Sequence, residues 1–139
     1  MATSMEEEDV AKLMKWKYSN ICSDGASRGR HPRGFGAFTK VLNHYVKESK
    51  TLTMEEAIYK MTGLAAENLN IQKRGLIKPG YYADLVLFDP ATVKDNSTIK
   101  DPQAISSGIN KVWVNGVEVY NEDGTTKKYP GKIILRNND

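Results

Sequence analysis

The hydrophobic period changes near the middle of the chain, and that change limits the fold more than any other feature. Up to about Gln72 the apolar residues recur mainly at helical spacing. From Gly75 onward they come in short, alternating or continuous runs cut by Gly, Pro and Asn. The sequence therefore predicts a helical half and a β half, with a seam near Ile71 to Gly75. The predicted order is helix, strand, loop, helix, helix, then four strands, an α+β arrangement. At 139 residues the chain fits one ordinary domain. It is too short for a complete eight-stranded α/β barrel, which typically needs about 250 residues.

Local signals place the elements. Ser4 with Glu7 has the form of a capping box, and Val10, Leu13, Met14 and Tyr18 follow at helical spacing. Tyr18 to Gly25 reads as a brief buried strand that delivers Asp24 at its C-terminal end. A Gly- and Arg-rich loop is predicted from Ala26 to Gly36, and a second helix from Phe38 to Glu48. Thr53 and Glu56 form another capping box, opening a helix whose buried side is predicted to carry Met54, Ala57, Ile58 and Met61. Thr62-Gly63 then breaks or kinks that helix. Pro79-Gly80 suits a type II turn. Strands are predicted over Ala83–Pro90, in the two arms of a hairpin over Ile109–Tyr120, and over Lys132–Arg136. Asn115-Gly116 between the arms is the strongest short-range hairpin signal.

Composition removes several classes of function. Apolar residues make up 40% and charged residues 27%, which is globular rather than disordered. The mean hydropathy is −0.53, and no apolar run reaches about 18 residues, so a membrane span is not expected. The acidic start, Glu6 to Asp9, has no apolar segment of the kind a secretory leader needs, and a cytoplasmic location is expected. The net charge of +3 is too small and too scattered to predict nucleic-acid binding. One cysteine, Cys22, excludes an internal disulfide; in an apolar strand it reads as a packed, inert thiol. Two histidines, His31 and His44, with no metal-ligand spacing, do not assemble the three or four ligands of a zinc site. His44 reads as a helix-surface or packing residue.

Two constellations could carry chemistry. Asp24, followed by Gly25, can face a cleft with little steric cover at the end of a barrel strand; local sequence alone favours a turn aspartate bonded to its own backbone. The loop with Arg28, Arg30, His31 and Arg33 can approach a ligand closely, because arginine forks bind carboxylates and histidine ligates or shuttles protons. It can equally be a solvated surface loop.

Taken together, the motifs resemble a known family. Ser23-Asp24-Gly25, His31-Pro32-Arg33-Gly34-Phe35-Gly36 and Met61-Thr62-Gly63 look like the C-terminal part of the N-acyl-D-amino-acid deacylases (D-aminoacylases), within the metal-dependent amidohydrolases. The stretch Arg74 to Pro90, with Gly80-Tyr81-Tyr82-Ala83-Asp84-Leu85-Val86, and Val112 to Val117 match signatures common across that superfamily. The resemblance runs from about Glu6 to Leu135. It implies an α/β fold: residues 1–70 as the last strand and helices of a distorted barrel, and residues 71–139 as the C-terminal share of a small β domain. It implies hydrolysis of N-acyl-D-amino acids, small-molecule substrates, by a zinc enzyme. Asp24 would contribute to the metal site and act as general base, Arg33 would bind the substrate carboxylate, and His31 would shape the loop or support its neighbours. The remaining metal ligands of the family lie upstream, so zinc belongs to the intact enzyme and the isolated chain is expected to bind none and to be inactive. It would need an upstream barrel portion, or associate with itself. The alternative is a non-catalytic α+β scaffold or interaction module, oligomeric through its uncovered apolar faces.

Overall fold

A computed structural model describes residues 5–25 and 31–134. The Ser4 half of the first capping box, Arg28, Arg30, and Leu135 and Arg136 of the expected final strand lie outside the described residues.

The first helix, α1, spans Glu7–Lys15, with Glu7, Glu8 and Asp9 at the positive end of its dipole and Lys12 and Lys15 at the other. Helix α2 is Arg33–Lys40, and it runs directly into a π-helical segment, Val41–Glu48. The second helix thus begins five residues earlier than the sequence predicts, inside the expected loop. Proline supplies the reason: Pro32 has helical backbone angles at the N-cap, and its carbonyl accepts the Phe35 and Gly36 N–H groups.

Helix α3, Met54–Met61, opens with the expected capping box. Glu56 N donates to Thr53 Oγ1 at 3.2 Å, and Thr53 N donates to Glu56 Oε2 at 2.8 Å. Thr62 leaves helical geometry (φ −131°, ψ −86°), and α4 follows as Gly63–Asn68. Ala57 is buried as predicted, but Ile58 is exposed and Lys60 is buried in its place. The Lys60 ammonium is satisfied by the Trp16 and Ser19 carbonyls at 2.7 and 3.1 Å, which cap the chain leaving α1.

The β half is an antiparallel meander: β1 (Leu85–Phe88), β2 (Ile109–Val114), β3 (Val117–Asn121) and β4 (Gly124–Thr125), in that order. Leu85 faces Trp113, and Val114 faces Val117 across the hairpin. Asn115 and Gly116 both have positive φ (49° and 79°), as a type I′ turn requires. The core joins both halves. Val41, Leu42, Tyr45, Leu52 and Ala57 pack with Val93, flanked by Ile21, Phe88 and Ile109.

Two expected strands have no ladder partner among the described residues. Tyr18–Gly25 belongs to no ladder; its one described backbone bond to another element runs from Ile21 N to Lys60 O at 3.1 Å. Burial nevertheless alternates there, with Ile21 and Ser23 half-buried and Cys22 and Asp24 exposed. A strand is defined by its neighbours, and no neighbour is present among the described residues. Cys22 is correspondingly an exposed thiol rather than a packed one. The described part of the final strand, residues 132–134, is also unpaired, and the fourth strand is β4 instead.

Candidate active site

Asp24 lies near the C-terminal end of the unpaired segment, with φ +50°, a left-handed conformation that aspartate adopts more readily than most residues. Gly25 and Gly34 then let two stretches of backbone touch. A Cβ on Gly25 would stand 3.0 Å from the Gly34 oxygen and 3.2 Å from its Cα. This approach brings Asp24 to the first turn of α2, where Arg33 Nη2 meets Asp24 Oδ2 at 2.7 Å. Both side chains are more than half exposed, 58% for Arg33 and 72% for Asp24. The pair is open to a ligand and contributes little to stability by itself.

His31 stands beside them. Its Nδ1 accepts the Arg33 backbone N–H at 3.2 Å, so that nitrogen carries no proton in this geometry. The imidazole thereby ties down one of the free N–H groups at the start of α2. A cleft of about 400 Å³ opens next to this turn, with Cys22, His31, Arg33, Lys40, His44 and Asp95 among its walls. The structure thus brings Asp24, His31 and Arg33 together.

His44 has a different place. It bridges α1 to the π-helical segment, with Nε2 3.1 Å from Glu7 and Nδ1 2.7 Å from Glu48. Bonding from Tyr45, and then from His44, holds the Glu7 carboxyl below its ordinary value against the opposing effect of burial. Burial pushes the Tyr45 hydroxyl well above the usual phenol range, and the Glu7 carboxylate adds to the effect. This cluster fastens α1 to the core.

A second Asp–Arg pair, not singled out from the sequence, joins the superfamily signatures. Arg74 Nη1 donates to Asp84 Oδ2, and its Nη2 donates to Asn115 Oδ1 at 2.6 Å. Asp84 Oδ1 accepts the Asn115 N–H at 2.8 Å, and Arg74 stacks 4.2 Å over the Tyr82 ring. Burial pushes the Asp84 carboxyl up, but the Asn115 and Arg74 bonds and the guanidinium charge outweigh it and hold the group below the aspartate range. The signal was present in the sequence: Asp84 and Asn115-Gly116 are the polar residues of otherwise apolar strand ends.

Among the described residues no three of His, Cys, Asp and Glu gather closely enough to hold a metal ion. Asp24 is a single carboxylate facing a guanidinium. Among the same residues no helix is long and apolar enough to cross a membrane.

The chain belongs to the amidohydrolase family, whose pattern matches residues 17–120. Within it, the chain is similar to the N-acyl-D-amino-acid deacylases. It is 43% identical over 132 residues to the N-acyl-D-aspartate deacylase of Alcaligenes xylosoxydans, covering 94% of this chain and 26% of that protein. A solved D-aminoacylase, described as defining a novel subset of amidohydrolases, superposes with a TM-score of 0.91 at 41% identity, over 95% of this chain and 28% of that one. The N-acyl-D-glutamate deacylase of Bordetella bronchiseptica superposes with a TM-score of 0.88 at 39% identity, over 96% and 28% of the two chains. That enzyme was solved with zinc and a phosphonate mimic of the reaction's tetrahedral intermediate. The chain thus spans little more than a quarter of the length of these relatives.

Proposed function

We propose that the chain is the C-terminal portion of a zinc-dependent N-acyl-D-amino-acid deacylase, inactive until the rest of the enzyme is supplied. Residues 1–70 would complete an α/β barrel, and residues 71–139 would complete a small β domain. The reaction adds water across the amide of an N-acyl-D-amino acid and releases a carboxylate and the free D-amino acid. Asp24 would take a proton from the attacking water and return it to the departing nitrogen. Arg33 would grip the substrate carboxylate with a charge-assisted bond, exchanging Asp24 for the substrate at the same guanidinium. His31 would keep the Arg33 turn in shape. Zinc is the cofactor of this reading. Asp24 would be one of its ligands, and the others would come from outside this chain.

The observation that carries this reading is the meeting of Asp24 and Arg33 at 2.7 Å in an exposed position, from the two motifs that resemble the deacylases most closely. The surface supports the incomplete state. Ile77, Ile105 and Ile133 are each more than 70% exposed. Such apolar surface calls for a cover.

The test is reconstitution. The purified chain would be mixed, with zinc, with the remaining portion of the A. xylosoxydans N-acyl-D-aspartate deacylase, and release of free aspartate from N-acetyl-D-aspartate and its L isomer would be followed. Turnover of the D isomer by the mixture alone is expected. Turnover by this chain with zinc alone would refute the incomplete-site reading, and a stable but inert complex would refute the deacylase reading.

A further inference from the structure

We propose that Asp95 and Ser97, in the segment after β1, are positioning residues for Arg33, fixing the start of α2 from the β half of the chain. The inference rests on the reading of Arg33 as the carboxylate-binding residue.

The glycine at position 36 is the first observation. Gly36 is buried in α2, where alanine would be favoured by about 1 kcal/mol on helix propensity. A Cβ there would stand 1.9 Å from Asp95 Oδ1 and 2.4 Å from Ser97 Oγ. No side chain fits in that gap, so the helix backbone lies directly on the Asp95 carboxylate. The second observation is hydrogen bonding. Ser97 Oγ is 2.6 Å from Asp95 Oδ1 and 3.1 Å from the Pro32 carbonyl, so its one proton is within reach of both acceptors. The Ser97 N–H also donates to Asp95 Oδ1 at 2.8 Å, which fixes the carboxylate. Pro32 immediately precedes Arg33, and its carbonyl accepts the bonds that start the helix. The third observation lies one turn on. Buried Thr39 donates to the Gly36 carbonyl at 3.1 Å and meets Ser106 Oγ at 2.6 Å. Gly36 and Thr39 occupy one face of α2, and residues 95–106 hold that face at both points.

Arg33 is more than half exposed, with its side chain paired to Asp24 and its N–H bonded to His31 Nδ1. The brace fixes the turn from behind these contacts. A helix start displaced by about 1 Å would carry the guanidinium with it, and displacements of that size cost up to about a hundredfold in rate where geometry controls the reaction.

The test uses the full chain carrying Ser97→Ala, Asp95→Ala, or both. ¹⁵N relaxation of the Arg33 and Gly34 amides and of Arg33 Nε is measured in the chain, and KM and kcat in the reconstituted enzyme. Loss of order at Arg33 is expected in both single variants, with the β2–β3 hairpin amides unchanged and KM raised about tenfold at a kcat within twofold. The double variant should lose no more order at Arg33 and Gly34 than either single one, a coupling that independent sites would not show. Unchanged Arg33 order in folded Ser97→Ala overturns the proposal, as does a double variant whose losses add. The relaxation data judge the brace without any turnover. A reconstituted Arg33→Ala enzyme with an unchanged KM would instead remove the reading of Arg33.

Discussion

Two aspartate–arginine pairs stand in this chain, one at the start of α2 and one at the entry of β1, and their surroundings give them opposite work. Asp24 and Arg33 meet in the open, with 72% and 58% of their side chains exposed. Asp84 and Arg74 meet under cover, at 36% and 12%, with Asn115 bonded to both and Tyr82 beneath the guanidinium. The covered pair ties the entry of β1 to the hairpin turn, and each of its groups has fixed partners. The open pair has one bond among the described residues and exposed side chains, so either member can change partner at little cost. The same two residue types make a latch in one place and a candidate site in the other. Burial and the number of fixed partners decide which.

The largest effect expected is on chemistry at the open pair. Asp24→Asn should lower turnover of the reconstituted enzyme by about 10²- to 10⁴-fold, the range for loss of a general base, and shift stability by less than about 0.5 kcal/mol. Parallel kinetics and thermal melts check both halves of that statement. Next comes the covered pair. Asp84→Ala removes the counter-charge of Arg74 and the acceptor of the Asn115 N–H, and should destabilise the chain by about 2–3 kcal/mol, read from urea unfolding.

A smaller effect is the acid dependence of that latch. The folded-state value of Asp84 lies below the ordinary one, so its stabilisation is complete above about pH 3.9 and is lost as the pH falls through the lowered value. Unfolding free energies measured from pH 5 to pH 2 should fall less steeply in Asp84→Ala than in the unaltered chain. The smallest effect serves as a reference point remote from both pairs. Thr53→Ala removes the cap of α3 and should cost about 1 kcal/mol in the same urea experiment.

Elements whose cause is local were legible in the sequence. Thr53 and Glu56 cap α3 through bonds within four residues, and Asn115-Gly116 turns the hairpin because both positions need positive φ. Elements whose cause is distant were not. Tyr18–Gly25 has the composition of a strand but no neighbour among the described residues, and Ile21 is held by a helix carbonyl instead. Lys60 takes a buried position that the helical period assigned to Ile58, because two carbonyls at the end of α1 receive its ammonium. The early start of α2 had a readable sign in Pro32, which suits a first turn; the glycine-rich flanks masked it. Asp24, Arg33 and His31 were legible as residues from their motifs. Their approach was not, because it depends on Gly25 packing against Gly34, nine positions apart in sequence.

The central claim is that the open pair belongs to a reacting site and the covered pair to the scaffold. The most direct measurement is turnover per folded molecule, side by side, for Asp24→Asn and Asp84→Asn in the reconstituted deacylase. The account predicts turnover lost in Asp24→Asn with an unchanged melt, and turnover per folded molecule kept in Asp84→Asn with a lowered melt. Full turnover in Asp24→Asn would contradict it.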